Sequence, residues 1–112
     1  MSALDETLLA LADRTRRGTI DLLRRRPRRA GELAAALSMS PAAMSRHLRV
    51  LRKSGLVTED GLEEDARVRV YRLRPERFSG LRQWVEEVEA SWAAELEAFK
   101  EHVERRSVKQ RP

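Results

Sequence analysis

The stretch of residues 38–57, SMSPAAMSRHLRVLRKSGLV, constrains the fold of this 112-residue chain most strongly. Ser40 is a good helix N-cap, and Pro41 suits the first helical position, where a missing N–H removes no hydrogen bond. Three apolar residues then recur at the spacing of one buried helical face: Met44, Leu48 and Leu51. Gly55 follows as a stop signal. The stretch therefore predicts a helix that ends near Lys53 and whose back is buried.

The front of this predicted helix is positively charged. At about 100° per residue, the side opposite the apolar back carries Ala42, Arg46, Arg49 and Lys53. Ser45 and Arg52 lie on one flank of this front, and His47 lies on the other. A DNA major groove admits one helix, and arginine can donate two hydrogen bonds to a guanine. The pattern therefore favours DNA contact, and an ordinary amphipathic surface helix is the plainer alternative.

Three shorter helices are predicted ahead of the basic one. Apolar periodicity indicates a first helix over about 4–13 and a second helix that Thr15 caps. Gly18 should cost the second helix about 1 kcal/mol relative to alanine. The run RRRPRR, residues 24–29, is too highly charged to be buried. The segment AGELAAAL, residues 30–37, forms the third helix.

After the basic helix, the pattern becomes that of a hairpin. Two short strands are predicted, Leu56–Glu59 and Arg67–Leu73, with an acidic turn at 61–66 between them. Pro75 ends the hairpin and opens a long helix over about 76–104. Short helices followed by a hairpin and a long helix describe a winged helix-turn-helix, which is a mainly α fold with a small β-hairpin wing.

Charge is unevenly distributed along the chain. Residues 14–53 hold twelve arginines or lysines against two acids, whereas residues 75–104 hold three basic residues against eight acids. Such segregation suggests a polyanionic partner for the first region and a different role for the second. Arginines scattered over a solvated surface are the alternative.

The composition excludes several other classes of protein. There is no cysteine, so disulfides and thiolate metal sites are excluded. No apolar run approaches the ~20 residues that span a bilayer. We therefore expect a cytoplasmic protein that is not associated with a membrane.

The long helix carries the pattern of a seam between helices. Its apolar residues recur every three or four positions, and the predicted dimer contacts among them are Leu81, Val85, Val88, Trp92, Leu96 and Phe99. Within one copy only the first helix could cover this stripe, and it brings Leu4, Leu8 and Leu11. We predict a homodimer built from the terminal helices. A long helix folded back on its own domain is the alternative.

Three segments resemble the ArsR-type winged helix-turn-helix repressors: LADRTRRGTIDLL, GELAAALSMSPAAMSRHLRVLRKSGLV and ARVRVYRLRP. The resemblance covers about residues 4–80 and is most specific over residues 45–57, SRHLRVLRKSGLV. It implies a homodimeric bacterial repressor whose fourth helix enters the major groove and whose wing touches the adjacent backbone. Because cysteine is absent, the chain resembles the branch of this family that does not sense metals.

The resemblance also implies which residues contact DNA. Carried over by position, the groove-facing set is Ser40, Ser45, Arg46, His47 and Arg49, to which the helical projection adds Ala42 and Lys53. For His47 we favour a half-buried residue that bonds backbone or phosphate. Three arginines of the charged run are predicted to contact phosphates more weakly: Arg25, Arg28 and Arg29.

The wing departs from the family pattern because its tip, GLEED, is acidic. Carboxylates next to phosphates would repel them, so a wing bound to DNA would rely on Arg67 and Arg69. In that case Glu63, Glu64 and Asp65 would be turned away. A plain solvated turn is an equally good interpretation of the tip.

Other chemistry has little support in the sequence. Ser45 and His47 cannot form a catalytic pair, because residues two apart on a helix do not face each other. His102 with Glu101 or Glu104 supplies too few ligands for a zinc site, and a solvated helix end explains them better. We therefore predict no enzymatic activity, no metal and no cofactor.

Taken together, these patterns predict one domain over residues 1–112. Its parts are a DNA-binding core over 4–74 with the wing at 56–74, a dimerisation helix over 75–105 and a basic tail over 106–112. The predicted function is a sequence-specific regulator, a homodimeric repressor on a pseudo-palindromic operator in double-stranded DNA. The alternative is a winged-helix protein-interaction module of anti-sigma or antitoxin type with only non-specific DNA affinity. A small-molecule effector is possible but unidentified. Trp84 and Trp92 could bind a small apolar ligand, and the alternative is that they are core residues.

Overall fold

The computed structural model describes residues 1–109, and part of the predicted tail at 106–112 lies outside them. The elements in chain order are α1 (Ala3–Leu11), α2 (Arg14–Leu23), α3 (Ala30–Ala36), α4 (Pro41–Lys53), β1 (Val57–Gly61), β2 (Arg69–Leu73), a 3-10 turn (Pro75–Phe78) and α5 (Ser79–Lys109). Residues 1–81 form one compact unit, and α5 from residue 82 onward forms a second. This order confirms the mainly α fold with a hairpin wing.

Of the two helix N-caps predicted from local sequence, one is confirmed and one is not. Ser40 caps α4 as predicted, since its Oγ accepts a hydrogen bond from the Ala43 N–H at 3.1 Å. The prediction that Thr15 caps α2 is wrong, because Asp13 does so and accepts from the Arg16 N–H at 2.9 Å. Both residue types are good caps, and the helix begins at the earlier one.

Gly18 is unfavourable for the helix by propensity, but the structure shows that it has a role in packing. A Cβ at this position would lie 3.0 Å from Leu37 Cδ2, which is tighter than ordinary van der Waals contact. The missing side chain therefore lets α2 lie close to the end of α3. At the other special position, Gly55 has a φ of 82°, the left-handed conformation expected where α4 stops.

The core lies behind α4. Its fully buried large side chains come from α3, α4 and the start of the hairpin: Leu33, Met44, Leu48, Leu51, Leu56 and Val57. The three predicted apolar residues of α4 are each at most 1% exposed, which confirms the predicted back of that helix. Burying a side chain of this size contributes about 1.5–3 kcal/mol, so α4 is firmly held from behind.

The wing is an antiparallel pair in which Glu59 lies opposite Tyr71. Arg28 adds an isolated bridge beside β2: its N–H donates to the Tyr71 carbonyl at 3.1 Å, and its carbonyl accepts from the Tyr71 N–H at 2.7 Å. None of residues 24–29 is fully buried, as expected, but this pairing leaves Arg28 half-buried. Backbone pairing holds this residue against the sheet despite its charge.

The long helix, α5, is 31 residues long and begins at Ser79 because Pro75–Phe78 form a 3-10 turn. All residues from 82 to 107 are exposed in the single chain. The most exposed large apolar side chains in this stretch are Trp92 at 64% and Phe99 at 65%. Among the described residues, no helix has both the length and the apolarity to cross a bilayer.

Candidate nucleic-acid interface

An exposed basic ridge runs along the front of α4. We define it by Arg46, Arg49 and Lys53, which are all exposed, as are the small residues Ser40, Ala42 and Ser45 near the start of the helix. Within residues 1–109, none of the three ridge cations takes part in an ion pair. The structure therefore brings six of the seven predicted α4 residues to one accessible surface whose positive charge is uncompensated.

His47, the seventh, points elsewhere. Its side chain is 20% exposed, and its Nδ1 lies 3.2 Å from Arg16 Nη1 and 3.7 Å from Asp13 Oδ2. The favoured description as a half-buried polar residue agrees with this position. Its partners, however, are side chains at the start of α2, where a backbone group or a phosphate was expected.

Arg16 connects three helices at this point. Besides contacting His47, its Nε donates to the Ala10 carbonyl at 2.7 Å and its Nη2 donates to the Leu9 carbonyl at 3.2 Å. Both carbonyls lie in the last turn of α1, where helical partners run out, and that of Leu9 also accepts from the Ala12 N–H at 3.3 Å. No sequence pattern marked Arg16, because its contact with His47 spans 31 residues.

The carboxylate of Asp13 completes this junction. The Arg16 backbone N–H lowers the pKa of Asp13, desolvation opposes the effect, and the nearby charge of Arg16 reinforces it. Asp13 therefore stays ionised as both the cap of α2 and a neighbour of His47.

The charged run ahead of α3 has an uneven exposure. Arg25 and Arg29 are exposed, whereas Arg28 is half-buried and its Nε is buried without a hydrogen-bond partner. Arg26 pairs with Glu32 at 3.3 Å, and the Arg29 N–H holds the pKa of Glu32 below its ordinary value, with Arg26 acting in the same direction. Arg25 and Arg29 are thus the accessible members of the predicted phosphate-binding set.

The arginines of the wing are held by carboxylates. Arg67, which lies in the turn before β2, bonds Asp65 through its backbone N–H at 3.0 Å and through Nε at 3.1 Å. These bonds lower the pKa of Asp65. A spacing of two residues lets the backbone and the guanidinium of Arg67 bind Asp65 together, and the expectation that Asp65 is turned away from bound DNA stays a prediction. Arg69 likewise pairs with Glu59 at 3.2 Å.

Candidate ligand groups elsewhere are sparse. Within residues 1–109, no three His, Cys, Asp or Glu side chains lie close enough to hold a metal ion. Trp84 and Trp92 line an open depression on α5 together with Val88 and neighbouring polar residues.

Comparisons with known proteins agree with this geometry. Residues 13–59 match the family described as bacterial regulatory protein, arsR family. The chain is 40% identical over 78 residues to the HTH-type transcriptional regulator Rv2034 of Mycobacterium tuberculosis, and the match covers 70% of each chain.

Solved structures show the same fold. An ArsR-like transcriptional regulator from Rhodococcus sp. RHA1 has a TM-score of 0.74 and 29% identity, over 88% of this chain and 91% of that one. The homodimeric winged helix-turn-helix DNA-binding domain of Mb0332 from Mycobacterium bovis has a TM-score of 0.60 and 25% identity, over 81% and 82%. The chain belongs to the ArsR family and is a DNA-binding transcriptional regulator with a winged helix-turn-helix fold.

Proposed function

We propose that this regulator is a homodimeric repressor that reads a pseudo-palindromic operator with α4. The observation that carries the proposal is the basic ridge, whose cations have no ion-pair partner within residues 1–109 while the back of the helix is buried. Free guanidinium groups can make paired hydrogen bonds to guanine in the major groove. The small residues Ser40, Ala42 and Ser45 let the first turns approach the base edges.

Other residues support this contact in different ways. Exposed Arg25 and Arg29 bind phosphates, which sets affinity without reading sequence. His47 acts indirectly, by holding α4 against α2 through Arg16. Arg67 and Arg69 contribute less than the ridge, because both are already paired with carboxylates.

The dimer rests on the exposed apolar residues of α5. Leu96 is 52% exposed and Val88 is 49% exposed, at the spacing of a helical seam. In α1, Leu8 is 39% exposed and remains available to a partner, whereas Leu4 and Leu11 are half-buried and Leu11 packs against the core of its own domain, so we expect them to contribute less. The homodimeric state of the Mb0332 domain supports this assembly. A two-fold dimer places its half-sites about one helical turn of DNA apart, or a multiple of that distance.

Selection of bound sequences from random duplexes tests the proposal. We expect an enriched sequence with two related halves, and binding of this protein to it should reduce transcription from an adjoining promoter. Arg46→Ala and Arg49→Ala should each weaken binding to the selected sequence by about 1–3 kcal/mol, while binding to random DNA changes little.

Arg105→Ala is the matched control, since it removes an exposed arginine that lies on α5. If it weakens operator binding as much as Arg46→Ala does, α4 is not the reading element. Failure to enrich any sequence would contradict the proposal and favour the protein-interaction module with non-specific DNA affinity. Because the ligand is chromosomal DNA, we place the protein in the bacterial cytoplasm with the nucleoid.

A further inference from the structure

Glu59 of β1 binds two arginines from different elements. Its Oε2 lies 2.9 Å from Arg52 Nη1, in the last turn of α4, and its Oε1 lies 3.2 Å from Arg69 Nε, at the start of β2. Arg69 Nη2 also donates to the Glu59 carbonyl at 3.2 Å, and the Tyr71 hydroxyl donates to Oε2 at 3.3 Å. One carboxylate therefore joins the end of the basic helix to the wing.

The register of the hairpin makes this arrangement. Glu59 lies opposite Tyr71, so Arg69, two residues earlier on β2, is its diagonal neighbour on the same face of the sheet. The Glu59 side chain is only 21% exposed, whereas those of Arg52 and Arg69 are each 51% exposed. The two guanidinium groups thus border the accessible surface, and the carboxylate that neutralises them lies beneath.

Carboxylate and phosphate present similar oxygens to a guanidinium fork. We propose that Glu59 is an internal competitor of DNA phosphate, which keeps Arg52 and Arg69 in intramolecular pairs and thereby limits affinity for DNA of any sequence. The inference rests on the proposed function, in which the neighbouring ridge of α4 faces the duplex. It makes Glu59 a determinant of specificity that does not itself touch DNA.

The charge pattern around the ridge supports this role. Arg46 and Arg49, at base-reading positions, have no carboxylate partner within residues 1–109, whereas the flanking Arg52 and Arg69 do. Phosphate contacts are available on every DNA sequence, and a genome offers a large excess of non-specific sites. Occupying the flanking arginines therefore lowers non-specific binding while the reading residues stay free.

The test compares Glu59→Gln with Glu63→Gln, which removes the same charge from an exposed acid that has no ion pair within residues 1–109. Fluorescence anisotropy measures binding to a duplex that lacks the operator, between about 50 and 200 mM salt. Each added phosphate contact should steepen the plot of log K against log salt by about 0.9, or about three- to fourfold in affinity over this range. We expect one to two added contacts for Glu59→Gln and none for Glu63→Gln.

A triple variant, E59Q/R52A/R69A, should return the slope to that of the wild type or below it. An unchanged slope in Glu59→Gln, or an equal change in Glu63→Gln, overturns the inference. If Glu59→Gln is not folded at the assay temperature, Glu59→Asp keeps the charge but withdraws the carboxylate by one methylene. A smaller increase is then expected, and no increase counts against the proposal. Because the probe lacks the operator, failure here is distinct from failure to select an operator.

Discussion

Removing the side chain of Arg16 should loosen the junction of α1, α2 and α4. Arg16→Ala deletes two partly buried hydrogen bonds, to the Ala10 carbonyl at 2.7 Å and to His47 Nδ1 at 3.2 Å. The third bond, to the Leu9 carbonyl, is exposed. Charge-assisted bonds contribute about 1.5–3 kcal/mol when buried and much less in water. We therefore assign about 1–1.5 kcal/mol to each partly buried bond and expect a total loss of about 2–3 kcal/mol.

Thermal and urea unfolding followed by circular dichroism measure this loss. For a domain of this size, 2–3 kcal/mol corresponds to a fall in Tm of roughly 8–24 °C. Arg17→Ala is the control at the adjacent position, because Arg17 makes one exposed bond, from Nη1 to the Leu11 carbonyl at 2.7 Å. Its loss should stay below about 1 kcal/mol.

A double-mutant cycle then isolates the contact with α4. Arg16→Ala and His47→Ala should be non-additive by about 0.5–1.5 kcal/mol, because each removes the same bond. The reasoning is refuted if Arg16→Ala costs no more than Arg17→Ala. Additive effects of Arg16→Ala and His47→Ala would show that the junction does not hold α4.

Two further changes test the cap and the seam. Because the pKa of Asp13 is lowered in the folded protein, its ionisation stabilises the fold above its unfolded pKa of about 3.9. This contribution is lost as the pH falls through the pKa of the folded state. Asp13→Asn should therefore reduce the fall in Tm on acidification, and an unchanged dependence of Tm on pH would contradict this. Trp92→Glu should weaken dimerisation about 30-fold or more in sedimentation equilibrium, as expected for an interface aromatic worth at least 2 kcal/mol. Gln83→Glu, which adds the same charge on the opposite side of α5, should leave the dimer intact, and a dimeric Trp92→Glu variant would exclude the seam.

The helices that were predicted best are those with complete local signals. In α4, the cap at Ser40, the apolar spacing of Met44, Leu48 and Leu51 and the stop at Gly55 all lie within one short segment. Such signals act through neighbours in the chain, so they can be interpreted without knowing the tertiary fold. Local signals of the same kind predicted the order of elements along the chain, and the helical spacing of α4 predicted that Arg46 and Arg49 are exposed.

Other features depended on contacts between distant segments. Arg28 is half-buried because it pairs with Tyr71 of the wing, and Gly18 matters because Leu37 packs against it. His47 was placed in the groove-facing set and expected to be half-buried, but its side-chain partners at the start of α2 were not predicted, since they lie about thirty residues earlier. The acidic character of the wing was visible in composition, but not which carboxylate binds which arginine.

The sequence alone determined the helical periods, the caps of α4, the basic character of its front and the family resemblance, because each depends on residue types at fixed short spacings. Only the tertiary structure decided which charges are available. Glu59 neutralises Arg52 and Arg69 while Arg46 and Arg49 stay without a carboxylate partner within residues 1–109. The physical reason is that ion pairing depends on distances of 3–4 Å between side chains, and those distances are set by how α4 and the wing pack together.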